Sequence, residues 1–180
     1  PGAGADSDTT GLLRALAAAG APAALGNLFD PKAARTAHAA GEGATLSMPL
    51  GGASRVAGDA PFRAEWRVER LGDGRFVAPG PFYGGKRMEM GPSALLSLGP
   101  VRVVVVSAKA QMADREMFRT LGVEPETTPI LGIKSSVHFR ADFAPIAASI
   151  LVTKAPGPMA VDPADLPWTR LRKGLRTSPL

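Results

Sequence analysis

The chain has 180 residues, 45% hydrophobic and 21% charged, a balance typical of one globular domain with a core of its own. It contains no Cys and only two His, His38 and His138. That excludes a disulfide scaffold, a Cys-rich zinc site, a thiol nucleophile and a His-rich metal centre built from this chain alone. The net charge of +5 is concentrated at one end: Arg170, Arg172, Lys173 and Arg176 lie in residues 166–180 with no acid among them.

The tail shows no helical face and the body no interleaved aromatic surface. Residues 166–180 are therefore expected to be a basic, Pro-containing tail in solvent, with no role in nucleic-acid or membrane binding. No apolar run approaches the ~20 residues that span a bilayer. The chain opens on Pro1 rather than Met, with neither a basic start nor an apolar stretch. It is expected to be part of a longer cytoplasmic protein.

In chain order, Asp6-Ser-Asp-Thr-Thr10 supplies N-cap candidates before Leu12, Leu13 and Leu16 at helical spacing, which predicts a helix over 9–19. Ala23 to Phe29 reads as a short buried strand. Asp30-Pro31 restarts a helix, cap first and Pro at the first helical position, and Gly41-Glu-Gly43 stops it.

The pattern then changes to short strands. Ala44–Leu50 is one. Phe62–Leu71 alternates Phe62, Ala64, Trp66 and Val68 with Arg63, Glu65, Arg67 and Glu69, the pattern of a sheet wet on one side. Gly72-Asp-Gly74 predicts a tight hairpin turn into Arg75–Val77. Gly84-Gly85 predicts a second, between Phe82-Tyr83 and Lys86–Met90.

Ala94–Leu98 precedes Val101–Ser107, an almost continuous β-branched run suited to a strand covered on both faces. A short helix over 115–121 and a strand at Ile130–Ile133 follow. Phe139, Phe143, Ile146 and Ile150 fall on one helical face that Pro145 interrupts. Ile150–Thr153 is expected to be a last strand. The fold class is α/β or α+β, with helices flanking a mixed sheet and a hairpin-rich antiparallel middle, as a single domain over 1–165.

The turn Lys134-Ser-Ser-Val-His-Phe-Arg140 gathers the most chemistry. It places a Lys, two Ser, a His and an Arg between a buried strand and a helix start, where free backbone N–H groups favour anions. Lys134, Ser135, Ser136 and Arg140 could clamp a carboxylate or other anion, with His138 as a proton carrier. The plainer alternative is a Ser cap and a packed His. A Ser–His hydrolase is disfavoured, because the G-x-S-x-G elbow is missing and Ser and His are too close in sequence.

Pro1-Gly-Ala-Gly4 has the glycines of a phosphate loop but lacks its Lys-Ser/Thr, so a flexible entry to a capped helix is the simpler reading. His38 reads as a surface or packing residue. Gln111 and Asp114 fall where they could share the carboxyl edge of the sheet with Lys134, the edge at which ligands collect in open α/β sheets.

PGAGADSDTTGLLRAL, VVVVSAKAQMADREMFRTLGV and above all ILGIKSSVHFRADFAPIA together resemble the C-terminal domain of the microcystinase C (MlrC-like) metallopeptidase family. The family pattern is a Gly-rich run entering a helix, a Gln and an Asp ahead of Met-Phe, and Lys-Ser-x-x-His-Phe-Arg. Ala3 and Ala5 thin the Gly-rich run here.

The resemblance implies a preceding catalytic N-terminal domain that holds zinc through its own acidic and His residues, with no metal ligand in this chain. It implies a peptide or other amide substrate in an interdomain cleft. Lys134, Ser135, Ser136, Arg140, Gly2 and Gly4 would bind substrate on one wall, and His138 would be the catalytic candidate. The partner would be the N-terminal domain of the same protein, and a homodimer is left open. Two other expectations compete: a purely structural or dimerisation module, and a small-anion (phosphate or carboxylate) binding domain.

Overall fold

Val101–Val106 (β7) carries five Val in six residues, and all but Arg102 are buried. In the computed structural model, which describes residues 6–160 and 162–177, this strand lies inside a six-stranded sheet of order β2-β3-β6-β7-β1-β8. The others are Ala23–Phe29 (β1), Thr45–Leu50 (β2), Phe62–Gly72 (β3), Ser93–Leu98 (β6) and Ile130–Ile133 (β8). β1 runs parallel to both β7 and β8, while β2, β3, β6 and β7 pair antiparallel in turn. The sheet is mixed, as the sequence predicts.

The two-residue period of the strands divides the core. Val101, Val103 and Val105 face one cluster with Leu25, Trp66, Val68 and Leu96. Two helices cover it: Gly11–Ala19 (α1) through Leu13 and Leu16, and Pro31–Ala40 (α2) through Ala33, Ala34 and Ala37. Val104 and Val106 face the other cluster with Met112, Met117, Phe118 and Phe143. Glu116–Arg119 (α3) and the separate hairpin of Arg75–Ala78 (β4) and Lys86–Glu89 (β5) lie on that side. The expected burial of β7 on both faces is observed.

α2 starts as its sequence dictates, with Asp30 accepting from Ala33 N at 2.9 Å and Pro31 at the first position. α1 does not. Thr10 makes no capping bond; its hydroxyl lies 2.9 Å from Asp59 Oδ1 and donates to Ala60 O at 2.7 Å. Asp8 accepts from Ser54 N and Oγ, each at 2.6 Å. These cap-type residues tie the entry of α1 to the 51–60 loop instead.

Several local expectations are corrected. Gly72-Asp-Gly74 turns no hairpin: the end of β3 that leads into it pairs with β6, not with Arg75–Ala78, which pairs with Lys86–Glu89 instead. The chain crosses instead into the small sheet. Gly74, at φ +74°, lets the backbone pass so close that a Cβ there would lie 2.1 Å from Gly91 O. The arms of the second hairpin are β4 and β5, so Phe82 and Tyr83 belong to its turn. The helix after Arg140 spans only Arg140–Phe143 (α4), continued by a 3-10 turn over Ala144–Ile146 that contains Pro145. α3 is likewise shorter than 115–121. Ile150–Thr153 is no strand: Leu151 and Val152 are among the most exposed apolar residues. In the tail, Leu166, Trp168, Leu171 and Leu175 are exposed too. No helix among the described residues is long and apolar enough to cross a membrane.

Candidate functional site

The parallel strands β7, β1 and β8 point their carboxyl ends to one edge of the sheet, where the segments after Val106 and Ile133 emerge. Lys134 continues the register, its N–H donating to Gly26 O at 2.8 Å. Its side chain turns inward. The ammonium donates to Thr9 O at 2.7 Å and approaches Thr9 Oγ1 at 3.0 Å. Burial pulls it from the usual 10.5 down to about 8, against the opposing pull of Asp8 and Asp59. Lys134 therefore staples the end of β8 to the segment entering α1.

Ser135 and His138 meet over Gln111. The Gln111 side chain is 8% exposed, and its Nε2 donates to Ser135 Oγ at 2.8 Å. The same nitrogen lies 2.9 Å from His138 Nδ1, with Oε1 at 3.2 Å. Phe82, from the turn between β4 and β5, lies against the imidazole with ring centroids 4.3 Å apart and planes tilted by 32°. Tyr83 beside it donates its hydroxyl to Gln111 O at 2.8 Å, and burial pushes its phenol up. The imidazole is exposed yet held by an amide and an aromatic ring.

Gln111 was expected at this edge. Phe82 and Tyr83 read as strand residues in the sequence, and the aromatic pair before Gly84-Gly85 is their one sequence signal. Ser136, Val137 and Arg140 are exposed, the Arg140 guanidinium 5.3 Å from the centre of the Phe139 ring. Gly2 and Gly4 lie outside the described residues. His38 stands apart on α2, its Nε2 3.0 Å from Ser93 O.

Asp114 performs a different task from that of Gln111. It is buried, accepting from Gly80 N at 2.7 Å through Oδ2 and from Glu116 N at 2.9 Å through Oδ1. Asp142 accepts from Arg115 N at 2.7 Å and Nε at 3.0 Å. Together they clamp the β4–β5 turn, and with it Phe82, against the main body. Among the described residues no three His, Cys, Asp or Glu side chains are placed to hold a metal ion.

The model of the MlrC C-terminus family matches residues 1–170. The chain belongs to that family. As an MlrC C-terminus it is 29% identical over 152 residues to microcystinase C of Sphingomonas sp., covering 84% of this chain and 29% of that protein. Its fold matches a crystal structure named "Putative metallopeptidase", from Mesorhizobium sp. BNC1, with a TM-score of 0.80 and 31% identity. That match covers 93% of this chain and 34% of the other. This MlrC C-terminus thus spans about a third of the length of each relative.

Proposed function

We propose that this domain forms one wall of the substrate cleft of a peptide or amide hydrolase, with Ser135, His138 and the surrounding exposed surface facing the substrate. The observation that carries this reading is the ordering of an exposed imidazole by Gln111 and Phe82. Fixing a solvent-facing ring costs side-chain entropy and adds little to a fold. Such preorganisation is what binding and transition-state stabilisation require.

In this reading Ser135, Ser136 and Arg140 offer hydrogen bonds to the substrate, and His138 acts on the carbonyl that reacts. Lys134 acts indirectly, fixing the segment that leads back to Gly2 and Gly4. An anion clamp has less support, since the Lys134 ammonium is bound to Thr9 and α4 has only four residues. Zinc is expected to be held by residues outside this chain, as the resemblance implies. Any metal would belong to the remaining two-thirds of a full-length protein, and the isolated chain should be inactive.

The test is His138→Ala in the full-length protein, with kcat and KM measured on a peptide substrate and zinc supplied. A fall in kcat of about 100-fold, on the order of 3 kcal/mol in the barrier, is expected. Unchanged kinetics in a folded variant would overturn the reading and leave the turn a structural corner.

A further inference from the structure

A neutral imidazole carries its proton on one nitrogen only, and the partner of the other nitrogen decides which. At His138 that partner is the Gln111 amide, the ring's one hydrogen-bond partner among the described residues. An amide can either donate or accept, so its orientation sets the tautomer.

The Gln111 nitrogen is the amide atom closer to Nδ1, at 2.9 Å against 3.2 Å for the oxygen. The same nitrogen reaches Ser135 Oγ at 2.8 Å. An NH2 group has two hydrogens, one for each contact. Nδ1 is then an acceptor, and the ring proton sits on Nε2. Phe82 lies along the ring face, and Tyr83 fixes the Gln111 backbone through its carbonyl. Both the ring and the amide are therefore held from a second side.

We propose that Gln111 is a positioning residue that keeps His138 in the Nε2–H tautomer, so that the ring offers the substrate a hydrogen-bond donor rather than a base. A donor of this kind suits a ligand with a carbonyl oxygen, such as a peptide or other amide, and strengthens as negative charge develops on that oxygen. No proton changes owner. Nδ1, the basic nitrogen, is occupied by the amide. The use of the donor rests on the reading that His138 faces the substrate; the tautomer itself does not.

The experiment uses full-length protein with 15N-labelled histidine rings, under conditions where the ring is neutral. Long-range 1H–15N correlations report which nitrogen is protonated, and the signals of His138 are those lost in His138→Gln. The expected result is a protonated Nε2 and an unprotonated Nδ1. In Gln111→Glu, whose carboxylate can only accept, the two should exchange, and kcat on a peptide should fall at least tenfold.

A wild-type ring protonated on Nδ1 overturns the proposal without recourse to any variant. An unaltered tautomer in a folded Gln111→Glu protein overturns it as well. If the tautomer exchanges while Gln111→Glu and His138→Ala both turn over normally, the tautomer assignment is upheld. The substrate-facing role of His138 is then refuted.

Discussion

Replacing Lys134 with Met should remove a contribution to stability that is expected to grow on the alkaline side. The ammonium sits at the end of β8, hydrogen-bonded to Thr9, and burial lowers it from 10.5 to about 8. Below pH 8 the lysine is charged in both folded and unfolded chains, and the folded chain bears the cost of burying the charge. Between about 8 and 10.5 the folded chain has released a proton that the unfolded chain still holds. Rising pH therefore favours folding across that window. At about 1.4 kcal/mol per pH unit the full gain is about 3 kcal/mol.

Met keeps most of the stem's volume and cannot titrate. Other titrating groups are common to both proteins, so subtracting the two stabilities isolates Lys134. Urea unfolding at fixed ionic strength from pH 7 to pH 11 measures each stability. Wild type should gain about 3 kcal/mol on the variant over that range. A difference that stays flat would refute the burial of a charged lysine at this point, and one that falls would reverse the sign of the argument.

Substitutions at two further positions test the site's support and the start of α2. A Cβ on Gly80 would lie 2.7 Å from Asp114 Oδ2 and 2.9 Å from Asp142 Oδ2, so Gly80→Ala must push buried carboxylates off their donors. A loss of about 2 kcal/mol by thermal unfolding is expected, together with weaker turnover in full-length protein as Phe82 shifts; an unchanged Tm would show that the clamp is slack. Asp30 caps α2 and also accepts from Gly51 N at 3.0 Å. Asp30→Ala should cost about 1–2 kcal/mol and Asp30→Asn, which keeps one acceptor for Ala33 N, less in denaturant melts; equal losses would show that the bond to Gly51, which an amide nitrogen cannot accept, matters as much as the cap.

Much of the fold can be read directly from local sequence. The Asp30-Pro31 start, the alternation of Phe62–Leu71 and the Val run of β7 each express a local physical preference that the tertiary structure keeps. Pairing partners are a different matter. Gly72-Asp-Gly74 has the composition of a hairpin turn, yet whether it closes one depends on which distant strand pairs with the end of β3, and that strand is β6. Ile150–Thr153 has the composition of a strand but pairs with no strand among the described residues. At the site, Ser135 and His138 could be singled out by residue type, and Gln111 by its place after β7. The inward turn of Lys134 could not, because its partner Thr9 lies 125 residues away. Phe82 and Tyr83 reach the imidazole only because a hairpin from the other sheet folds over this edge.

The departures from ordinary folding rules are themselves unevenly distributed. Lys134 is a half-buried cation at the end of β8, its ammonium turned in to Thr9. In β1, beside the Gly26 carbonyl that holds Lys134, Asn27 is 1% exposed and its Oδ1 has no hydrogen-bond partner among the described residues. Such an orphaned acceptor costs about 1–3 kcal/mol. A few residues along the same edge, an exposed imidazole is held in one orientation by Gln111 and Phe82. The opposite, antiparallel half of the sheet is built differently: Trp66 donates to Met48 O at 3.1 Å, and polar and apolar residues alternate as burial demands. Stability alone would place unfavourable groups anywhere or nowhere. Their concentration at the carboxyl ends of β1 and β8 is what a fold selected for work at that edge would retain. The proposal that the Gln111–Ser135–His138 cluster faces a ligand gains support from Lys134 and Asn27, which lie outside that cluster but along the same edge.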